Sequence, residues 1–374
     1  MKKLSILFFC SFPPPNTGQT IATKLLYHVL NEEHQIDVIN IADKNRFKRK
    51  SGNFSLSIVI VLIKKIFELK KKLRRNKYDI VYVVYAPYLF SLLRDVAYAR
   101  IIKYNASSKI IAHIHCGNYG DNFKSGLKKK LFAYLCNVTD KIIFLSPSLR
   151  HFDLPEEKIF FLTNMISDDV ICSDAEIQTK LEIKKSESHF KIFFISNMIP
   201  EKGYADVLLA AEILRNKGVD NFSVHFIGGW PSVENKNIFL QQIKSLNLTK
   251  EIKVYDAIND RNIIKAYFLD ADVFVLPTYY PVEAQPLSII EAFNAATPVI
   301  STWHASIPDM INQEENGFLI DKQNPRAIAD KITILLDKDK WHAMALNSRR
   351  SYLLTYQKSI IAPKLKNIFS ADNS

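Results

Sequence analysis

The sequence predicts an α/β protein made of two doubly wound parallel-sheet domains that face each other across a cleft. Three observations point there. Short apolar, strand-like runs alternate with helical patterns from end to end, the order that builds parallel sheets covered on both faces. The alternation breaks once, at a polar stretch from Ser173 to His189, and then resumes. A chain of 374 residues also suits two domains of about 100–200 residues each. With 48% hydrophobic and 24% charged residues there is ample apolar surface to bury, which excludes disorder as the main state.

In the first half, Leu4–Cys10, Ile36–Ile41, Ile80–Tyr85, Ile110–His115 and Lys141–Leu145 are expected to be strands. Thr20–Leu30, Ser57–Lys72, Phe90–Tyr104 and Leu127–Cys136 are expected to be the helices between them. The opening Met1-Lys2-Lys3 and apolar run have the outline of a signal peptide, but Pro13-Pro14-Pro15 stands where small cleavage-site residues belong, so a buried first strand is expected. Ser173–His189 reads as a boundary or linker. The second series places strands at Phe190–Ile195, Ser223–Ile227, Ile252–Tyr255, Val273–Pro277 and Val299–Thr302. Its helices fall at Ala205–Lys217, Ile238–Ser245, Asn259–Phe268, Pro286–Ala296 and Ala327–Leu336. The segment after Trp341 reads as helical with a polar tail. No stretch approaches the roughly 18–20 apolar residues of a membrane span. Cys10, Cys116, Cys136 and Cys172 lack metal-ligand spacing and are expected to be reduced thiols of a cytoplasmic protein.

The net charge of +12 is unevenly placed. Residues 1–180 hold 28 Lys and Arg against 16 Asp and Glu, and the rest of the chain is balanced. The excess is densest from Lys44 to Lys77, with 13 basic residues against one acid, Glu68; Lys128-Lys129-Lys130 forms a second cluster. A solvated face, an anionic membrane surface and nucleic acid are the three readings of such a stretch. Sparse aromatics and the lack of a nucleic-acid fold signature disfavour the last. Ser57–Lys77 fits an amphipathic helix at a membrane interface, and equally one packed on its own domain.

Only 10 glycines are present, and Gly18, Gly117, Gly203, Gly228, Gly229 and Gly317 sit after expected strands or at helix starts, where backbone must turn sharply or approach a ligand. The densest chemistry lies in Tyr279–Thr302, YYPVEAQPLSIIEAFNAATPVIST. Glu283 is expected in the loop after a strand, where a carboxylate can accept hydrogen bonds from sugar hydroxyls. Pro286 is expected in the first helical turn, where its missing N–H is harmless. The amides of Gln285, Leu287 and Ser288 then face an anion at the positive helix end, and Glu291 lies about one and a half turns further in, suited to ribose hydroxyls.

This segment resembles the E-x7-E signature of family 4 glycosyltransferases, retaining enzymes of the GT-B fold that include bacterial surface-polysaccharide glycosyltransferases. FISNMIPEKGY at Phe194–Tyr204 resembles the family's phosphate-binding loop, with Lys202 in the place of the lysine that contacts the donor diphosphate. PPPNTGQT at Pro13–Thr20 resembles its N-terminal glycine-rich loop, here with Gly18 alone, and HIHCGN at His113–Asn118 its sugar-facing histidine segment, with His115 as the match. FLSPS at Phe144–Ser148, LTNMIS at Leu162–Ser167 and ENGFLI at Glu315–Ile320 also fit. The resemblance implies an acceptor-binding Rossmann-like domain at 1–180, a nucleotide-sugar-binding one at 188–350, and a helix and polar tail at 351–374 that cross back.

It further implies His115, Lys202 and Glu283 as catalytic residues, and Gly18, Asn197, Gln285, Pro286, Leu287 and Glu291 as donor contacts. Lys202 and backbone amides would stabilise the leaving diphosphate, Glu283 and His115 would hold the sugar, and Glu291 the ribose. The departing phosphate would take the acceptor's proton on the same face, with no metal or other cofactor. An expected lipid-linked saccharide acceptor places the protein at the inner face of the plasma membrane through the Lys44–Lys77 stretch, without nucleic acid, in capsule, O-antigen or lipopolysaccharide biosynthesis. Asn197 stands where relatives often carry Arg, which leaves Arg261 as a candidate compensating cation. Ala284, Cys116 and Trp303–Ser306 also depart from glycine-containing family patterns. His113 is expected to face away from His115 and to be structural; His225, His304 and Trp230 carry no motif. A GT-B nucleotide-sugar epimerase and a non-catalytic membrane- or nucleic-acid-binding protein are the alternatives.

Overall fold

The computed structural model describes residues 3–14, 17–42, 56–105, 107–117, 123, 126–150 and 154–370. Two compact units emerge, one from Met1–Asn164 with Lys358–Ser374, the other from Met165–Gln357.

The first unit holds a six-stranded, all-parallel sheet in the order β2-β1-β3-β4-β5-β6. Its elements are β1 (Ser5–Cys10), α1 (Gly18–Asn31), β2 (Gln35–Asn40), α2 (Leu56–Arg75), β3 (Ile80–Tyr85), α3 (Leu89–Asn105), β4 (Lys109–Ile114), α4 (Gly126–Val138), β5 (Lys141–Phe144) and β6 (Ile159–Phe161). Strand β3, IVYVVY, is buried at every position, as a strand covered on both faces must be. The C-terminal helix α13 (Lys358–Phe369) belongs to this unit. Lys366 pairs with Glu33 at 2.6 Å, and Lys141 Nζ donates to the Ile368 carbonyl at 2.9 Å.

The second unit repeats the plan in the order β12-β11-β10-β7-β8-β9. It comprises α5 (Asp174–Ser186), β7 (Phe190–Ile195), α6 (Tyr204–Asn216), β8 (Phe222–Ile227), α7 (Val233–Ser245), β9 (Ile252–Tyr255), α8 (Arg261–Asp270), β10 (Val273–Leu276), α9 (Leu287–Asn294), β11 (Val299–Thr302), α10 (Ile307–Met310), β12 (Gly317–Ile320), α11 (Pro325–Leu335) and α12 (Lys338–Ser351). The strand order reverses between β7 and β10, and in sheets of this kind ligands bind outside the carboxyl ends of the strands at that point.

The structure corrects the reading of Ser173–His189 as a boundary or linker: most of it is helix α5. Ser173 caps it, reciprocally bonded with Glu176 in a capping box. Two of its four buried positions are lysines, Lys180 and Lys184, beside Ile177 and Leu181, which is why no continuous apolar stripe marks it. Lys180 Nζ donates to the carbonyls of Phe268 and Ala295 at 3.0 and 2.8 Å and to Thr297 Oγ1 at 2.6 Å. Burial pushes its pKa down to about 7. One turn on, Lys184 pairs with the fully buried Asp272 at 2.9 Å. The passage between units therefore lies at Asn164–Met165, earlier than the expected 180–188, and the return lies at Gln357–Lys358 rather than at 351. Of the basic stretch, Lys44, Arg46, Lys48, Arg49 and Lys50 lie outside the described residues, as do Pro15, Asn16 and Asn118 of the motifs.

Candidate active site

The loops that follow β7 and β10 carry Lys202 and Glu283. After β7 the chain makes a 3-10 turn at Pro200–Lys202 and enters α6 through Gly203. Gly203 has φ +81°, and a Cβ there would stand 2.4 Å from the Pro277 carbonyl oxygen. Only glycine meets both demands, so the two loops close on each other at this residue. The Tyr279 amide donates to Glu201 O at 2.8 Å and completes the seam.

The seam brings Lys202 onto Glu283. Their side chains form an ion pair between Lys202 Nζ and Glu283 Oε2, with 14% and 11% of each exposed. Thr278 Oγ1 donates to the same carboxylate oxygen at 3.4 Å, and the Tyr280 ring lies 5.2 Å from the ammonium. The loop bearing Glu283 is propped from behind by Trp303–Ser306. His304 Nε2 donates to Tyr280 O at 2.8 Å, and Ser306 Oγ to Ala284 O at 2.6 Å. Sequence reasoning gave Thr278, Tyr280, His304 and Ser306 no role at the site; the bonds of His304 and Ser306 span more than 20 residues, that of Thr278 five, and Tyr280 acts through ring placement.

Pro286 is the cap of α9 rather than a first-turn residue, with ψ 120° and its carbonyl receiving the Ile289 amide at 3.2 Å. Leu287 thus opens the helix, and its amide and that of Ser288 belong to the first turn, which has no intrahelical acceptors. Gln285 is buried beside it. Glu291 is buried in the helix and forms an ion pair with Arg261 Nη2 at the start of α8. Burial raises the Glu291 carboxyl above the usual carboxylate range, and Arg261 opposes that rise. Asn197 follows β7 and lies against the Gly228–Gly229 turn. A Cβ on Gly228 would meet the Ser196 carbonyl oxygen at 1.8 Å, and one on Gly229 would sit 3.5 Å from Asn197 Oδ1.

Gly18 and His115 lie in the first unit, His115 just beyond the carboxyl end of its strand. Gly18 is the first residue of α1, behind a Thr17–Thr20 capping box. His115 follows β4. The expectation that His113 faces away from it fails: residues two apart on a strand share a face, and the two ring centroids lie 3.9 Å apart at 40°. Burial depresses both imidazoles, His115 to about 3, so both are neutral at pH 7.

Comparison with known proteins gives a consistent result. Residues 15–146 match the family described as Glycosyl transferase 4-like, and residues 176–351 the family described as Glycosyl transferases group 1. The chain is 26% identical over 333 residues to an uncharacterized 41.2 kDa protein in the cps region of Klebsiella pneumoniae, covering 84% of this chain and 83% of that one. It is 23% identical over 195 residues to the putative colanic acid biosynthesis glycosyltransferase WcaL of Escherichia coli K12, covering 50% and 47%. Among solved structures, HepE of Anabaena in complex with UDP and glucose superimposes with a TM-score of 0.71 at 14% identity, over 98% of this chain and all of that one.

Proposed function

We propose, for a chain that belongs to the 4-like and group 1 glycosyltransferases and has their GT-B fold, that it moves a hexosyl unit from a nucleotide-diphosphate sugar to a saccharide acceptor with retention of configuration. The observation that carries the proposal is the Lys202–Glu283 pair at the sheet's switch point, with Glu291 one helix further on. That HepE was solved with UDP and glucose supports the donor class. The relatives in a cps region and in colanic acid synthesis support an acceptor from cell-surface polysaccharide.

In this reading Lys202 releases Glu283 to meet the donor diphosphate, and the first-turn amides of α9 join it. Their dipoles are fixed before charge develops on the leaving phosphate, so little reorganisation accompanies bond cleavage. Glu283, freed of its cation, accepts hydrogen bonds from the sugar. Glu291 takes the ribose hydroxyls while Arg261 keeps it charged, and Asn197 and Gln285 offer neutral polar contacts. In the first unit, His115, neutral, is assigned a sugar contact and Gly18, at the head of α1, a backbone amide. The acceptor hydroxyl attacks the anomeric carbon on the face the phosphate leaves, and its proton passes to the departing phosphate oxygen. The reading calls on no metal.

Arg261 is committed to Glu291, so we do not assign it to the diphosphate in place of the arginine that Asn197 replaces. An acceptor carried on lipid fits helix α2, where Ile60, Val61, Ile63 and Phe67 are exposed among Lys64, Lys65, Lys70 and Lys71 while Leu69 and Leu73 face the core. No helix among the described residues is long and apolar enough to cross a membrane. The donor proposal is tested by incubating the protein with UDP-glucose, UDP-N-acetylglucosamine and GDP-mannose plus a saccharide acceptor. Transfer with the anomeric configuration kept, read by NMR, is expected; an epimerised nucleotide sugar with no acceptor consumed would overturn it. Sedimentation with phosphatidylglycerol vesicles but not phosphatidylcholine vesicles, weakened by salt, is expected for the membrane surface; equal sedimentation with both refutes it.

A further inference from the structure

We propose that His113 and Tyr82 are positioning residues for His115, through the buried Tyr82–His113 hydrogen bond and the packing of the two imidazole rings. The inference rests on the reading that His115 contacts the transferred sugar, and it adds the elements that fix that imidazole.

The Tyr82 hydroxyl and His113 Nδ1 are hydrogen-bonded, 3.0 Å apart, in the core of the first unit. Tyr82 is itself clamped by the Phe8 ring, stacked at 4.5 Å. His113 is 1% exposed, so neither its position nor its tautomer is averaged by solvent.

The ring so fixed lies directly against His115. Nε2 of each histidine is buried without a hydrogen-bond partner. A buried polar nitrogen is ordinarily satisfied within the fold; two adjacent ones left open mark a place completed by something bound. One face of His115 rests on His113, which confines its ring plane and leaves its own Nε2 for a substrate hydroxyl.

The test uses protein labelled with 15N at histidine and long-range proton–nitrogen spectra, which report each ring's tautomer. The wild type is expected to show one fixed tautomer for His113, and Tyr82→Phe is expected to shift the nitrogen signals of both His113 and His115. Steady-state turnover with UDP-glucose as probe supplies the second readout: Tyr82→Phe is expected to lower kcat about tenfold with KM unchanged within twofold, about 1.4 kcal/mol of barrier. His113→Asn, which keeps a hydrogen-bonding amide toward Tyr82, is expected to retain more turnover than His113→Leu. A wild-type His113 that exchanges between tautomers, or His115 signals and kcat unmoved in Tyr82→Phe, overturns the inference. If His115→Ala itself keeps full turnover, the proposed role of His115 falls and this inference with it. If His115→Ala loses turnover while Tyr82→Phe does not, the positioning role alone is refuted.

Discussion

Replacing His115 by Gln is expected to remove a defined part of the protein's sensitivity to acid. Burial lowers the His115 pKa from 6.5 to about 3, so the native state refuses a proton that the unfolded chain accepts. With the folded pKa below the unfolded one, the stabilisation is complete above about pH 6.5 and is lost as the pH falls from there toward 3. At pH 5 the unfolded imidazole is protonated and the native one is not. The gap of about 1.5 pH units below 6.5, at about 1.4 kcal/mol per unit, amounts to about 2 kcal/mol for this one residue. His113 and His225 are shifted in the same direction by burial and add to the wild-type slope. The assay is urea unfolding at pH 8 and pH 5 for wild type and His115→Gln. The variant is expected to lose about 2 kcal/mol less between the two conditions. Parallel losses would show that His115 is hydrated or already charged in the native protein, and would refute the burial argument.

Other perturbations act on the second unit. Gly203→Ala would place a Cβ 2.4 Å from Pro277 O at φ +81°; a loss of about 2–4 kcal/mol in urea unfolding is expected, with a raised donor KM because Lys202 adjoins it. Unchanged stability and KM would mean that the two loops are not locked there. Arg261→Ala leaves the buried Glu291 carboxyl without its cation and drives its pKa further up. Nucleotide affinity by calorimetry is expected to fall about tenfold at pH 7 and to fall further as the pH drops, with Arg261→Lys recovering part of it. A loss independent of pH contradicts that account.

The sheets were legible because parallel strands buried on both faces, such as Ile80–Tyr85, leave unbroken apolar runs. What stayed hidden has specific causes. Ile159–Phe161 is a three-residue strand behind an acidic turn, too short for a periodic signal. Helix α5 buries lysines whose acceptors lie about 90–115 residues away, so its inner face looks like an outer one. The motif residues Lys202 and Glu283 could be named from their neighbours in sequence, but their pairing depends on Gly203 and Pro277 meeting in space. Arg261 was visible as a cation and not as the partner of Glu291, 30 residues on. The two histidines were misplaced through the strand period itself, which puts them on one face.

The most direct trial of the account is calorimetric titration of UDP-glucose, GDP-mannose and ADP-glucose into wild type, Lys202→Ala and Glu283→Ala. One of the three nucleotide sugars should bind the wild type, and each substitution should weaken it at least tenfold in protein that still unfolds cooperatively. Full-strength binding by both variants would contradict the claim that this lysine and this glutamate receive the donor.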